Sequence, residues 1–498
     1  MNFKRTKSIE QTIAEGDEPE YQLKKRLNAL DLTVFGVGVV IGAGIFTVAG
    51  RAASTQAGPA VVISFLIAAV CCGLAALCYA EFAAAIPVSG SAYTFSYASM
   101  GELIAWIIGW DLLLEMLLGA SVVAQGWSAY LQIFLEQIGI QLPESISYGS
   151  AFDLPAFLLV AILTALVAVG IKESMRVNLA LVAVKIFIVL FVIIAGLGYI
   201  KADNYMPFVP PSQPTEAASG VEAPLIEMLF GLAPAQFGIM GVLAAASLVF
   251  FAYIGFDIVA TTAEEAKNPG RDLPRGIIGT LVICTVLYCA TALVLTGMVR
   301  FDQLDASGSL ASAFVQVGQP WIATLVSAGA VAGLTTVVMT LLIGATRVTF
   351  AMARDWLLPP VIGKVNKTTG TPLKATIGLG TVVALTAALT PIGKLEYMIN
   401  IGTLSAFFLV SIAVPILRKT RPDFKRPFRV PFSPVLPWIS AAICGYLMLT
   451  LPVETWLRFL IWLAIGFVLY YGYGYRRSRL ARAEAGENVP AVIRDTEM

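Results

Sequence analysis

Histidine is absent from all 498 residues of the chain. That removes imidazole general-base catalysis and the usual histidine-bound zinc, haem and copper centres. Charge is sparse too: 13% of residues are Asp, Glu, Lys or Arg against 58% hydrophobic, which would leave soluble domains of this size without a polar surface. Cysteine is limited to six residues (Cys71, Cys72, Cys78, Cys284, Cys289, Cys444), all inside apolar runs and at spacings unlike zinc or redox motifs. Neither a metal site nor a disulfide is therefore expected. With no nucleophile–base pair and no phosphate-binding loop, an enzyme and a cofactor are not expected either. A net charge of +1 without a gathered basic patch gives no reason to expect a nucleic-acid partner.

What the chain does have is long apolar runs. With a mean hydropathy of +0.80, it carries about twelve of them at the length needed to cross a ~30 Å hydrocarbon core. Bounded by charged or Pro/Gly-rich stretches, they fall near 29–50, 59–86, 102–135, 153–170, 177–200, 241–264, 276–299, 319–353, 374–391, 395–417, 434–452 and 456–475. An even number of crossings puts both termini on one side. Most of the 33 Lys and Arg then fall on that side, so the positive-inside rule makes it the cytoplasm. No cleavable leader is expected, because residues 1–28 are polar and the first apolar run is long enough to span. The chain divides into a cytoplasmic tail (1–28), a transmembrane core (29–417), two peripheral helices (418–475) and a C-terminal cytoplasmic tail (476–498), the last read as disordered. The loop over about 201–240, rich in Pro and Gly, is expected to be a partly ordered lid or surface loop.

Two of the runs look interrupted. The first holds Gly36, Gly38, Gly42 and Gly44; the sixth holds Gly255 and Asp257 within Phe-Phe-Ala-Tyr-Ile-Gly-Phe-Asp. Small residues also serve close helix packing, which is the plainer reading of a glycine pair in a membrane helix. Their placement favours another reading, since they open what would be two five-helix halves, and paired interruptions mark the binding site of inverted-repeat carriers. Amides freed at the start of a half-helix suit a carboxylate, and carbonyls freed at the end of one suit an ammonium. An α-amino acid presents both.

Several motifs then occur in order: Ile-Gly-Ala-Gly-Ile-Phe (41–46), Tyr-Ala-Glu-Phe with Pro-x-Ser-Gly-Ser-Ala-Tyr (79–93), Phe-Phe-Ala-Tyr-Ile-Gly-Phe-Asp (250–257), Glu-Glu-Ala-Lys-Asn-Pro-x-Arg-x-Leu-Pro-Arg-Gly-Ile (264–277) and Arg-Val-x-Phe-Ala-Met-Ala-Arg-Asp (347–355). Together they resemble the amino acid-polyamine-organocation superfamily, and within it the cationic amino acid transporter family and its bacterial relatives, over about residues 25–475. The resemblance implies an all-α integral membrane protein, a LeuT-like 5+5 inverted repeat with 12 transmembrane helices of which the first and sixth are discontinuous. It implies that backbone amides of Ile41, Gly42, Ala43 and Gly44 bind the substrate carboxylate. Carbonyls of Phe251, Ala252 and Ile254 would accept its ammonium, with Tyr253 beside them and Phe256 as a gate. Leu334 matches a position facing the substrate side chain, where its bulk argues for small neutral substrates.

Ionisable residues inside spans mark function by default. Lys185 lies nine residues past Arg176, ~13 Å along a helix, too deep to snorkel with ease. By resemblance it stands where sodium-coupled relatives hold sodium, so proton coupling without sodium is expected. Glu115 is read either as structurally paired with a hydroxyl or helix end, or as handling substrate or proton. Asp257 is read either as a brace for the second break or as a substrate contact. Together the two acids could accept a cationic side chain, against the reading from Leu334. Asp111 is expected to support packing. Glu81, Glu264, Glu265, Arg271, Arg347 and Arg354 are candidates for an inner salt-bridge network of weak surface pairs.

The expected function is secondary active transport of an L-amino acid, small neutral or cationic, by proton symport across the bacterial cytoplasmic membrane. An exchanger or facilitator and a non-transporting sensor on the same fold stay open. A channel is disfavoured by the lack of a filter-like segment. Partners are the L-amino acid, the proton and the lipid bilayer. A small single-span partner protein, found in the family's animal branch, also stays open, although no exterior cysteine suits its disulfide.

Overall fold

The computed structural model describes residues 5, 27–86, 91–170, 175–214, 220–231, 235–305, 309–366, 369–423 and 425–487. A chain this apolar must satisfy its amides and carbonyls within each segment, and helices do so. The helices are α1 (Ala29–Val40), α2 (Val61–Ala85), α3 (Ser91–Ser99), α4 (Glu102–Gln137), α5 (Leu154–Ala168), α6 (Met175–Leu197), α7 (Leu225–Phe230), α8 (Gly238–Val249), α9 (Pro269–Met298), α10 (Leu310–Gln316), α11 (Pro320–Arg354), α12 (Leu373–Leu389), α13 (Ile392–Thr420), α14 (Val435–Leu449), α15 (Val453–Leu469) and α16 (Arg479–Glu484), with shorter helical turns between them. Among the described residues, strands are limited to the antiparallel pair Gln213–Pro214 and Ala235–Gln236, in the connection between α6 and α8.

Eight helical stretches are long and apolar enough to cross a membrane, and α1, α5, α12 and α14 are shorter apolar helices. The longest stretch, Gly44–Ala85, is two helices in geometry, because Gly58 at φ +60° and Pro59 turn the chain between them. Outward-facing Ile162, Val286 and Ile461 are more than half exposed, the apolar exterior that lipid requires. Inside, α11 lies along α4, and α9 packs against α1 and α2.

Local chemistry fixes the starts of key helices. Asn28 caps α1, its side chain accepting from the Leu30 and Asp31 amides at 2.8 and 3.1 Å while Asp31 accepts from the Asn28 amide at 3.0 Å. This reciprocal box satisfies donors that the first turn leaves open. Just before it, Leu27 pairs through its backbone with Glu265 and Lys267, tying the entry of α1 to the segment before α9.

Two expectations are corrected at this end of the bundle. The segment over 477–487 is not structureless: Ser478 caps α16 and donates to the buried Glu102 carboxylate at 2.7 Å, and Tyr97 and Tyr470 donate to the same group at 3.0 Å each. Arg5 then bonds Glu484 at 2.8 Å and the Tyr475 carbonyl at 2.7 Å. Charge and polarity concealed this order because the groups that anchor the segment, Arg5, Tyr97 and Glu102, lie far from it in the chain. Glu81 is likewise no weak surface pair. It is 4% exposed, receives a two-pronged bond from Arg418 at 2.9 and 2.5 Å, accepts the Val430 amide at 2.7 Å, and has Arg426 3.6 Å away. The side chain of Glu264 lies outside the described residues.

Candidate functional site

The hydrogen-bond ladder of α1 stops at Val40. Ile41 turns to ψ 91°, Gly42 follows in a bend, and helical structure resumes as the turn Gly44–Val48. A second interruption follows α8: the turn Phe250–Tyr253 ends at Ile254, extended at ψ 140°, and Gly255 takes φ +112° before Phe256–Glu265 continues. Gly255 is the residue that can hold that angle beside Val39, whose Cγ1 would lie 2.8 Å from an added Cβ.

The two interruptions touch. A Cβ on Gly44 would sit 2.3 Å from the Ala252 Cα, so the pieces pack backbone to backbone. Gly36 and Gly38 face Thr280 and Val182 at similarly close range. For these three glycines close packing is a physical role in its own right. Gly42 differs: its nearest neighbour would be Val337 Cγ1 at 3.5 Å, an ordinary contact across open space.

That space is a small, partly enclosed pocket. Val39, Val40, Gly42, Ala43 and Gly44 line it from the first interruption, and Phe251 and Ile254 from the second. The opposite walls are Glu115, Gly119 and Val123, one face of α4, and Val337 and Leu341, one face of α11. Polar groups come mainly from backbone. Amides at the start of the piece after Gly42 have no preceding turn to bond. On the other side, the Phe251 carbonyl already accepts the Ile254 amide at 3.2 Å and keeps a second lone pair.

Of the residues expected here, Gly42, Ala43, Gly44, Glu115, Phe251 and Ile254 line the pocket, and Ile41, Ala252, Tyr253, Phe256, Asp257, Leu334 and Lys185 stand outside its lining. Tyr253 turns its hydroxyl to the Phe65 carbonyl at 3.1 Å. Phe256 packs with Tyr79 and Phe407, ring centroids 6.0 and 5.1 Å away. Asp257 is fully buried in the first turn of Phe256–Glu265, next to the amides of Gly255 and Ile258, where a carboxylate suits a helix start. Leu334 is buried one turn before Val337. Lys185 is 1% exposed; its Nζ donates to the Gly38 carbonyl at 2.7 Å, and its stem fills the notch at Gly333. Asp111 accepts from the Ser405 hydroxyl at 2.6 Å, joining α4 to α13.

Three features escaped the sequence. The Tyr288 hydroxyl on α9 lies 2.7 Å from the Val40 carbonyl and 2.8 Å from the Ala252 carbonyl, joining the last turns before both interruptions. Tyr130 on α4 donates to the Phe46 carbonyl at 2.6 Å and braces the resumed helix. Arg51 pairs with Glu396 on α13, a carboxylate 1% exposed. A phenol within an apolar run and an acid within a span were the available signals, but their partners lie 36 to 345 residues away.

The model of the amino acid permease family matches residues 27–470. The chain belongs to that family. Among its relatives, the branched-chain amino acid permease BcaP of Bacillus subtilis is 46% identical over 96% of this chain and 98% of its own length. A methylthioribose transporter of the same organism is 45% identical over 92% of this chain and 95% of its own length. A vacuolar cationic amino acid transporter of Arabidopsis thaliana is 37% identical over 84% of this chain and 67% of its own length. The permease is thus a multi-pass membrane protein of an amino acid transport family.

Proposed function

We propose that this permease is a proton-coupled secondary carrier of neutral aliphatic L-amino acids. The observation that carries the reading is the pocket where the two helix interruptions meet, amides on one side and carbonyls on the other. The substrate carboxylate takes the amides of Gly42 to Gly44, and the ammonium takes the remaining lone pairs of the Phe251 and Ile254 carbonyls. Val123, Val337 and Leu341 receive the side chain. These apolar walls, together with the branched-chain permease among the relatives, favour leucine, isoleucine and valine over arginine, with Glu115 the single charged wall residue.

The twelve apolar helices form a LeuT-like 5+5 inverted repeat with α14 and α15 peripheral, and both termini are cytoplasmic. Alternating access closes the outer side through Arg51 and Glu396, and the inner side through Glu81 and its arginines. Lys185 carries the coupling proton: its ammonium holds the Gly38 carbonyl of α1, and proton loss weakens that charge-assisted bond and frees the half-helix. A thiosugar substrate is the second reading, favoured by the methylthioribose transporter at 45% identity.

Uptake of labelled isoleucine, arginine and methylthioribose into proteoliposomes with an imposed pH gradient tests all of this. Isoleucine accumulation that collapses with the gradient is the expected result. Accumulation of methylthioribose alone selects the second reading, and no accumulation of any solute, with binding retained, indicates a sensor.

A further inference from the structure

The connection from α13 to α14 has more positive charge than its own contacts use. Between Arg418 and Arg429 stand six basic residues and one acid, Asp423. Two of the six turn inward. Arg418 and Arg426 face Glu81, and Arg426 also donates to the carbonyls of Leu417 and Arg421 at 3.1 and 2.8 Å. Those bonds, with Pro427 seated over Gly270 at the start of α9, hold the segment in a fixed shape.

The other four, Lys419, Arg421, Lys425 and Arg429, are exposed, and none forms an ion pair among the described residues. Immediately after them the chain presents apolar groups outward. Phe432 is 84% exposed on a backbone at φ +49°, a conformation unfavourable for a bulky side chain, and Val435 and Trp438 on α14 are 60% and 51% exposed. Cationic groups followed within one or two turns by exposed aromatics match the depth profile of a bilayer interface, phosphates above and acyl chains below.

We propose that this segment is a docking site for anionic phospholipid headgroups. Lys419, Arg421, Lys425 and Arg429 face the phosphates, and Phe432, Val435 and Trp438 enter the acyl region. A bound headgroup neutralises the four free charges and leaves Arg418 and Arg426 on Glu81, so anionic lipid stabilises the buried cluster that joins α2 to α13. The occupant is a lipid, because a free anion has no use for the apolar half of the site.

The test uses the full-length protein in nanodiscs of phosphatidylcholine with or without phosphatidylglycerol, read by thermal unfolding and by native mass spectrometry of retained lipid. The expected result is a higher melting temperature and selective retention of phosphatidylglycerol. Apparent affinity should fall about fivefold for each charge removed, and selectivity should be lost in the Lys419→Gln, Arg421→Gln, Lys425→Gln, Arg429→Gln combination. Phe432→Ser should weaken lipid retention with the charges intact. Arg476→Gln with Arg477→Gln, exposed basic residues elsewhere, controls for bulk charge. Undiminished phosphatidylglycerol selectivity in the fourfold variant overturns the proposal, as does an equal loss in the control. A full stabilisation by inorganic phosphate or glycerol phosphate also overturns it, by assigning the site to a free anion. An unchanged substrate-induced thermal shift shows that the fourfold variant is folded.

Discussion

Replacing Tyr288 with phenylalanine removes one oxygen and leaves the ring. The ring contacts persist, to Phe65 at 5.7 Å and Tyr253 at 5.3 Å between centroids. What is lost is the hydroxyl placed 2.7 Å from the Val40 carbonyl and 2.8 Å from that of Ala252. One proton cannot make two full hydrogen bonds, so the loss counts once, as a buried acceptor without its donor, ~1–3 kcal/mol. Because the two carbonyls belong to the two interruptions, the same sum limits how far their spacing can loosen. A binding site whose competent spacing becomes a fraction of the population loses apparent affinity by that fraction. Isoleucine affinity should therefore fall by up to about 150-fold, the equivalent of ~3 kcal/mol. Calorimetric titration of the detergent-solubilised protein, with thermal unfolding in parallel, reads both numbers. Tyr253→Phe is the matched control: its hydroxyl bonds the Phe65 carbonyl, away from the interruptions, so it should cost stability and spare affinity. If Tyr288→Phe binds isoleucine as tightly as the parent and unfolds at the same temperature, the tie between the interruptions has no energetic content and the reasoning fails.

Gly44→Ala drives a methyl into the Ala252 backbone at 2.3 Å and should destabilise by at least the ~1–3 kcal/mol of overpacking. Gly42→Ala should keep the melting temperature and shift uptake from isoleucine towards alanine, because its methyl meets nothing closer than Val337 at 3.5 Å. Lys185→Ala should abolish gradient-driven accumulation while counterflow exchange persists, and full accumulation in the variant contradicts proton carriage by this residue. Glu396→Gln leaves the Arg51 guanidinium, 20% exposed, without its carboxylate. Thermal unfolding should register a loss of ~1–3 kcal/mol, below the ~3–5 kcal/mol of a fully buried pair, and no loss means that the pair does not hold the helices together.

The helical, membrane-spanning character was legible because it rests on local properties, run length and composition. So were the glycine-rich stretch at 36–44 and the Phe-Phe-Ala-Tyr-Ile-Gly-Phe-Asp segment, whose interruptions lie at Ile41–Gly42 and Ile254–Gly255. Asp111 could be read as a packing residue from its place in α4, and Ser405 proved to be its partner. The remainder depends on long-range contacts. Nothing in the sequence places Tyr288 between Val40 and Ala252, or Arg51 beside Glu396, which is 345 residues away. The glycines show the same limit from the other direction: their spacing is identical whether a missing Cβ admits a neighbouring helix, as at Gly38 and Gly44, or opens onto a pocket, as at Gly42. Leu334, expected to face a substrate side chain, lies outside the pocket lining, which includes Val337 and Leu341 one and two turns further along α11.

The proposed carrier works only if the two interruptions together hold the charged groups of one amino acid. A density map of the permease saturated with isoleucine tests it most directly. Ligand density is expected between Gly42–Gly44 and Phe251–Ile254, with the carboxylate on the amides and the aliphatic chain towards Val337. Isoleucine bound elsewhere, with this junction empty, would contradict it.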